Sequence, residues 1–147
     1  MTNAEMAQAL RDLRDFVIIA GYEEGHALRY THIARTIEKM PESVVALRRE
    51  GRLKEIPGVG PTIQVYLKEL LDEGKTSKQR DWESSAPWSV VEMVRVPGLG
   101  ARTARTIFNL TGAKSLAELK EAEKAGRLDD VPGVGPALRE AIRDTSV

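Results

Sequence analysis

The sequence predicts an all-α protein of two small helical domains, and three observations predict it. A Pro-Gly-apolar-Gly turn occurs three times, as Pro57-Gly58-Val59-Gly60, Pro97-Gly98-Leu99-Gly100 and Pro132-Gly133-Val134-Gly135. Between the turns, apolar residues recur at spacings of three and four, the period of a helix with one buried face. Gly21, Gly51, Gly74, Gly112 and Gly126 fall where those periods stop, as helix-ending residues do. Each turn is framed alike: Ile56, Val96 and Val131 precede the three prolines, and Ile63, Ile107 and the pair Leu138 and Ile142 follow. The architecture is therefore built around three helix-hairpin-helix motifs, each clamping a turn between two helices that share a core.

The elements follow in order. Ala7, Leu10, Leu13, Val17 and Ile18 give an amphipathic helix from about Asn3 to Ala20, stopped by Gly21. A second helix spans about His26 to Met40 and is expected to bury Leu28, Ile33 and Ile37, with Ala34 where helices touch closely. Pro41-Glu42-Ser43 opens a third, with Pro in its first turn and Val44, Val45 and Leu47 as its apolar face before Gly51. The first hairpin helix reads Ile63, Leu67, Leu70 and Leu71, and Gly74 closes it as a C-terminal cap.

The stretch from Lys75 to Pro87 is polar and without period, so residues 77–87 are expected to be a linker between a domain at 1–76 and one at 88–147. Trp82 and Trp88 at its ends are expected to dock it by packing. The second half reads as a helix from about Trp88 to Arg95, the second hairpin, and a helix from Ala101 to about Leu110. Ser115 with Glu118 has the spacing of a capping box for the next helix. Gly126 breaks that helix before the third hairpin and a last short helix. Copies one and three match beyond the turn, with 50–56 (EGRLKEI) aligning on 125–131 (AGRLDDV), which points to duplication.

Composition narrows the function classes. With 147 residues and no cysteine, the chain can build real cores, and a disulfide scaffold or cysteine-based zinc site is excluded. Its N-terminus mixes Arg11, Asp12, Arg14 and Asp15 into the apolar run, unlike a signal peptide or a membrane span, so a soluble, cytoplasmic protein is expected. The formal net charge is zero, so only local distribution can favour a polyanion. No acid lies between Met93 and Ala117, where Arg95, Arg102, Arg105 and Lys114 fall, and none lies between Gly25 and Ile37, where Arg29 and Arg35 do.

The turns themselves suggest phosphate binding. Glycines permit sharp turning and close approach by another molecule, and the helix that follows presents unpaired amides and a positive dipole end. Around the second hairpin, Arg102, Arg105 and Asn109 share a face beside Thr103. The first offers Thr62, Gln64 and Lys68, and the third Arg139 and Arg143 beside Glu140 and Asp144. Signals for enzyme chemistry are weak. His26 and His32 stand six apart, a poor metal spacing, and there is no phosphate-binding loop, nucleophile elbow or carboxylate cluster.

The order of parts resembles the N-terminal region of family X DNA polymerases, the group that includes the beta type. Residues 28–38 (LRYTHIARTIE), followed by 51–60 (GRLKEIPGVG), are similar to the helical lyase and DNA-end domain, and the two later turns to the adjoining hairpin-bearing region. The likeness includes no polymerase palm, so polymerase activity is not expected. The family's Schiff-base lysine, six residues beyond the second hairpin glycine, corresponds to Tyr66, and a second lysine to Thr62. A phenol forms no imine, so lyase action on abasic ends would need a displaced amine such as Lys68. The resemblance also implies a potassium or sodium ion at the hairpins, held by turn carbonyls: those of Ile56 and Val59 in the first, and of Val96 and Leu99 in the second.

Three functions stay open on the sequence: a non-enzymatic module gripping DNA phosphates without sequence preference, a protein-interaction module with structural hairpins, and a lyase. The first carries the expected contact set. It comprises Gly58, Val59, Gly60, Thr62 and Lys68; Gly98, Leu99, Gly100, Arg102, Thr103 and Arg105; Gly133, Gly135 and Arg139; and Arg29, Tyr30 and Arg35. Its expected partner is gapped or nicked duplex DNA, and its place, in a bacterium, the nucleoid.

Overall fold

Threonine and serine oxygens start several helices. In the computed structural model, which describes residues 1–147, Thr2 and Glu5 exchange bonds across the first turn of α1 (Asn3–Ala20). The Glu5 amide donates to Thr2 Oγ1 at 3.0 Å, and the Thr2 amide donates to Glu5 Oε1 at 3.0 Å. This reciprocal capping box also holds the Glu5 carboxyl below its ordinary value, the Thr2 backbone bond being the main cause. Helix α2 (Glu24–Lys39) follows, then α3 (Val44–Arg49), whose N-cap Ser43 accepts from the Val45 and Ala46 amides. Pro41 thus lies ahead of the helix and not in its first turn, because the serine oxygen two residues on satisfies the orphan amides.

A 3₁₀ turn (Leu53–Glu55) leads into the first hairpin and α4 (Pro61–Glu73). The segment expected to be a linker is helical at its start, as α5 (Ser77–Trp82). Thr76 caps it, accepting the Gln79 amide at 3.0 Å, and the Glu69 carboxylate takes both the amide and hydroxyl of Ser77. A Thr-x-x-Gln cap supplies the order that the apolar period lacks.

A 3₁₀ stretch (Trp88–Arg95) precedes the second hairpin, followed by α6 (Ala101–Thr111), α7 (Leu116–Lys124), the third hairpin and α8 (Pro136–Asp144). Ser115 accepts the Glu118 amide at 3.1 Å, as its spacing predicts. No helix is long and apolar enough to cross a membrane.

The chain divides into two compact units. One takes Met1–Arg14 and Glu23–Trp82, the other Asp15–Tyr22 and Glu83–Val147, so the two ends of α1 serve different units. In the first unit Leu10 and Leu13 of α1, Ile33 and Ile37 of α2, Leu47 of α3 and Leu67 of α4 are buried. The buried stripe of α2 is Ala27, Tyr30, Ile33, Ala34 and Ile37. Leu28, expected inside, is 50 % exposed, because it stands one residue, about 100°, round the helix from Ala27. In the second unit α6 and α7 pack on the 3₁₀ stretch and α8 on α7, enclosing Met93, Ile107, Leu116, Leu119 and Ile142. Phe16 and Trp88 meet there in a tilted pair with ring centroids 5.0 Å apart, a favoured aromatic arrangement.

Candidate nucleic-acid interface

The three hairpins are one structure made three times. Ile56, Val96 and Val131 are buried, as are the apolar residues inside each turn, Val59, Leu99 and Val134. The amide of the latter returns to the carbonyl of the former at 3.1, 3.0 and 3.2 Å. Between them Gly58, Gly98 and Gly133 hold φ at 86°, 85° and 86°, a left-handed conformation that side chains resist. The apolar residue therefore plugs the turn into the core, while the proline and both glycines are exposed.

The second glycine of each turn is the N-cap of the next helix. The first internal bonds run from Gln64, Ala104 and Arg139 amides to the carbonyls of Gly60, Gly100 and Gly135. None of these caps supplies a side-chain acceptor, so the first-turn amides open outward at the positive end of the helix dipole. The first turns of α4, α6 and α8 also hold no acid, whereas α1, α2 and α7 carry Glu5, Glu24 and Glu118 there. Proline at the first position removes one donor from α4 and α8. Ala101 keeps it in α6.

Nothing inside the molecule requires glycine at these caps. Gly60, Gly100 and Gly135 have φ of −93°, −89° and −98° with extended ψ, open to any residue. A methyl group on any of them would meet nothing within 4 Å. Serine or aspartate would cap the helix better. The shared glycine thus leaves room for an outside molecule to come close to the backbone.

Side chains differ among the copies. On α6, Ala104 and Ile107 are buried, Arg102 and Asn109 exposed, and Thr103 and Arg105 half-buried, as the helical spacing predicts; Phe108 is half-buried. Arg105 makes no ion pair. Exposed Arg95, just before Val96, stands beside the same turn; its place in the acid-free run was the signal for it, though it was not among the expected contacts. Thr62 in the first turn of α4, Lys68 further along that helix and Arg35 on α2 are exposed.

Two expected contacts are placed otherwise. Tyr30 is wholly buried, with its ring 6.4 Å from that of Tyr66 and the Arg29 guanidinium 5.5 Å from its centroid; it belongs to the core of the first unit and offers no surface to DNA. Its register with Ala27 and Ile33 puts it there. Arg139 is held by Asp129, at 2.9 Å to Oδ1 and 3.1 Å to the carbonyl. Arg143, likewise, pairs with Glu123 at 2.6 Å.

The carbonyls implied for a monovalent cation suit such an ion in kind. Those of Ile56 and Val96 each accept one turn amide, which leaves a second lone pair, and hard cations take neutral carbonyl oxygen.

A family profile described as a helix-hairpin-helix domain matches residues 1–76, and one described as a SAM-like helix-hairpin-helix tandem matches residues 90–145. The chain is 27% identical over 90 residues to the DNA polymerase/3'-5' exonuclease PolX of Bacillus subtilis, covering 61% of this chain and 16% of that protein. It is 26% identical over 102 residues to DNA polymerase lambda of Arabidopsis thaliana, covering 69% and 18%. A 51-residue stretch is 37% identical to the Holliday junction branch migration complex subunit RuvA of Acidovorax sp., covering 35% and 27%. The chain therefore spans less than a third of the length of each of these relatives.

Proposed function

The chain belongs to the helix-hairpin-helix domain family and is related to the N-terminal helix-hairpin-helix region of family X DNA polymerases, and on that premise we propose that it is a DNA-binding module that grips phosphates without reading bases. The observation that carries this reading is the N-cap glycine of the first two hairpins, Gly60 and Gly100, kept where neither backbone nor neighbours need it. Phosphate oxygens fit the open amides and the dipole end behind them. The glycine lets the sugar-phosphate backbone approach to hydrogen-bonding distance.

The second hairpin is the main grip. There the amides of α6 act with the Arg102 and Arg105 side chains, and Thr103 adds a hydroxyl. The first hairpin contributes as a backbone-type binder, with Thr62 and Lys68 on the helix that follows it. Contacts of this kind position a protein on the duplex and carry no sequence information. A potassium or sodium ion at each of these hairpins, on the Ile56 and Val59 carbonyls of the first and the Val96 and Leu99 carbonyls of the second, would add positive charge where the phosphate sits. Its residues hold the ion; the amides and arginines hold the DNA.

The substrate we assign is gapped or nicked duplex DNA in a repair or processing reaction, supported by the similarity to two DNA polymerases and a Holliday junction protein. The test is binding of a labelled gapped duplex, an intact duplex and a single strand at two salt concentrations. Salt-sensitive binding that is tightest for the gapped duplex is expected. Absence of binding to all three would overturn the reading.

A further inference from the structure

Hairpins two and three meet reciprocally in the second unit. A methyl group on Gly133 would lie 3.7 Å from Thr103 Oγ1, and one on Gly98 would lie 4.0 Å from Leu138 Cδ1. Thr103 stands three residues beyond Gly100, and Leu138 three beyond Gly135. The same contact is thus made twice with the roles exchanged, the mark of a pseudo-two-fold relation. Duplex DNA carries two-fold axes that symmetric binders match, so equivalent hairpins would each take phosphates from a different strand.

These hairpins are equivalent in backbone and opposite in charge. Counting from the shared glycines, Arg95 is matched by Asp130, Arg102 by Ala137 and Arg105 by Glu140. Asp130, Ala137 and Glu140 are all exposed. The cations that α8 does carry, Arg139 and Arg143, are engaged by Asp129 and Glu123. Pro136 removes a donor that Ala101 retains. The third hairpin thus offers a phosphate two carboxylates and an alanine at the positions where the second offers three guanidiniums.

Resting on the DNA-binding reading above, we infer that Asp130, Ala137 and Glu140 keep the third hairpin off DNA, so that the second unit grips one strand and uses its other hairpin as a scaffold. The partner this fits is a DNA whose second strand is interrupted or absent at the contact, since nothing is lost when those phosphates go.

The full chain tests this with the double substitution Ala137→Arg and Glu140→Arg, both at exposed positions, against a charge-matched control on α7, Ala117→Arg with Glu121→Arg, also exposed. Restoring the basic hairpin is expected to raise affinity for an intact duplex at least tenfold at low salt. It is also expected to steepen the log–log salt dependence by about two, with a gain on single strand no larger than the control's. A gain on duplex no larger than the control's, or an equal gain on single strand, would overturn the assignment. Absence of salt-sensitive binding by the unsubstituted chain would overturn the DNA-binding reading and this assignment with it.

Discussion

Gly133 faces Thr103 across the second unit, with room for a methyl group 3.7 Å from the threonine Oγ1. Space is therefore not what forbids a side chain there; the φ of 86° is. Gly133→Ala is expected to cost about 1–2 kcal/mol from left-handed strain. Gly98→Ala, at the matched position with φ of 85°, is expected to cost the same. Urea denaturation of the two variants checks this. Unequal losses would show that the two hairpins do not share one backbone requirement.

Arg102 and Arg105 carry the side-chain part of the grip. Arg102 is exposed and Arg105 half-buried, so replacing both by alanine is expected to change stability by no more than about 1 kcal/mol. The same double substitution should reduce the salt slope of DNA binding by about two, one per lost phosphate contact. Titration by fluorescence anisotropy across a salt series reads that slope directly.

Glu38 receives Arg11 in a two-pronged pair, at 2.9 and 3.0 Å. Those bonds hold its carboxyl below the ordinary value of 4.5. A carboxyl lowered in the folded state contributes stability that is present above pH 4.5 and is lost as pH falls through the lowered value. Both partners are partly exposed, so the effect is small. Arg11→Ala is expected to shrink the drop in melting temperature between about pH 6 and about pH 3; an unchanged drop would show the pair to be inert.

Much of this was legible in the sequence because the hairpin is a local device. Proline, two glycines and one apolar plug at fixed offsets leave the chain little choice, and all three copies close the same turn. The helix at Ser77–Trp82 was less legible, since its order comes from the Thr76 cap and the distant Glu69 carboxylate and not from an apolar period. Tyr30 shows the limit of reading sites by residue type. It stands in the family-like segment 28–38 and was expected among the DNA contacts, yet its register with Ala27 and Ile33 buries it. Arg139 shows the same limit for charge. Only the fold reveals that Asp129, ten residues earlier, already holds it.

The most direct test of the central claim is Gly100→Ser, with DNA affinity and melting temperature measured on the same variant. A serine at this N-cap satisfies first-turn amides with its own oxygen and places a Cβ where the DNA backbone would approach. The fold is expected to hold its melting temperature or gain a few degrees while DNA affinity falls at least tenfold. Undiminished affinity in a folded Gly100→Ser variant would contradict the account, because the open amides and the room beside them would then have no part in binding.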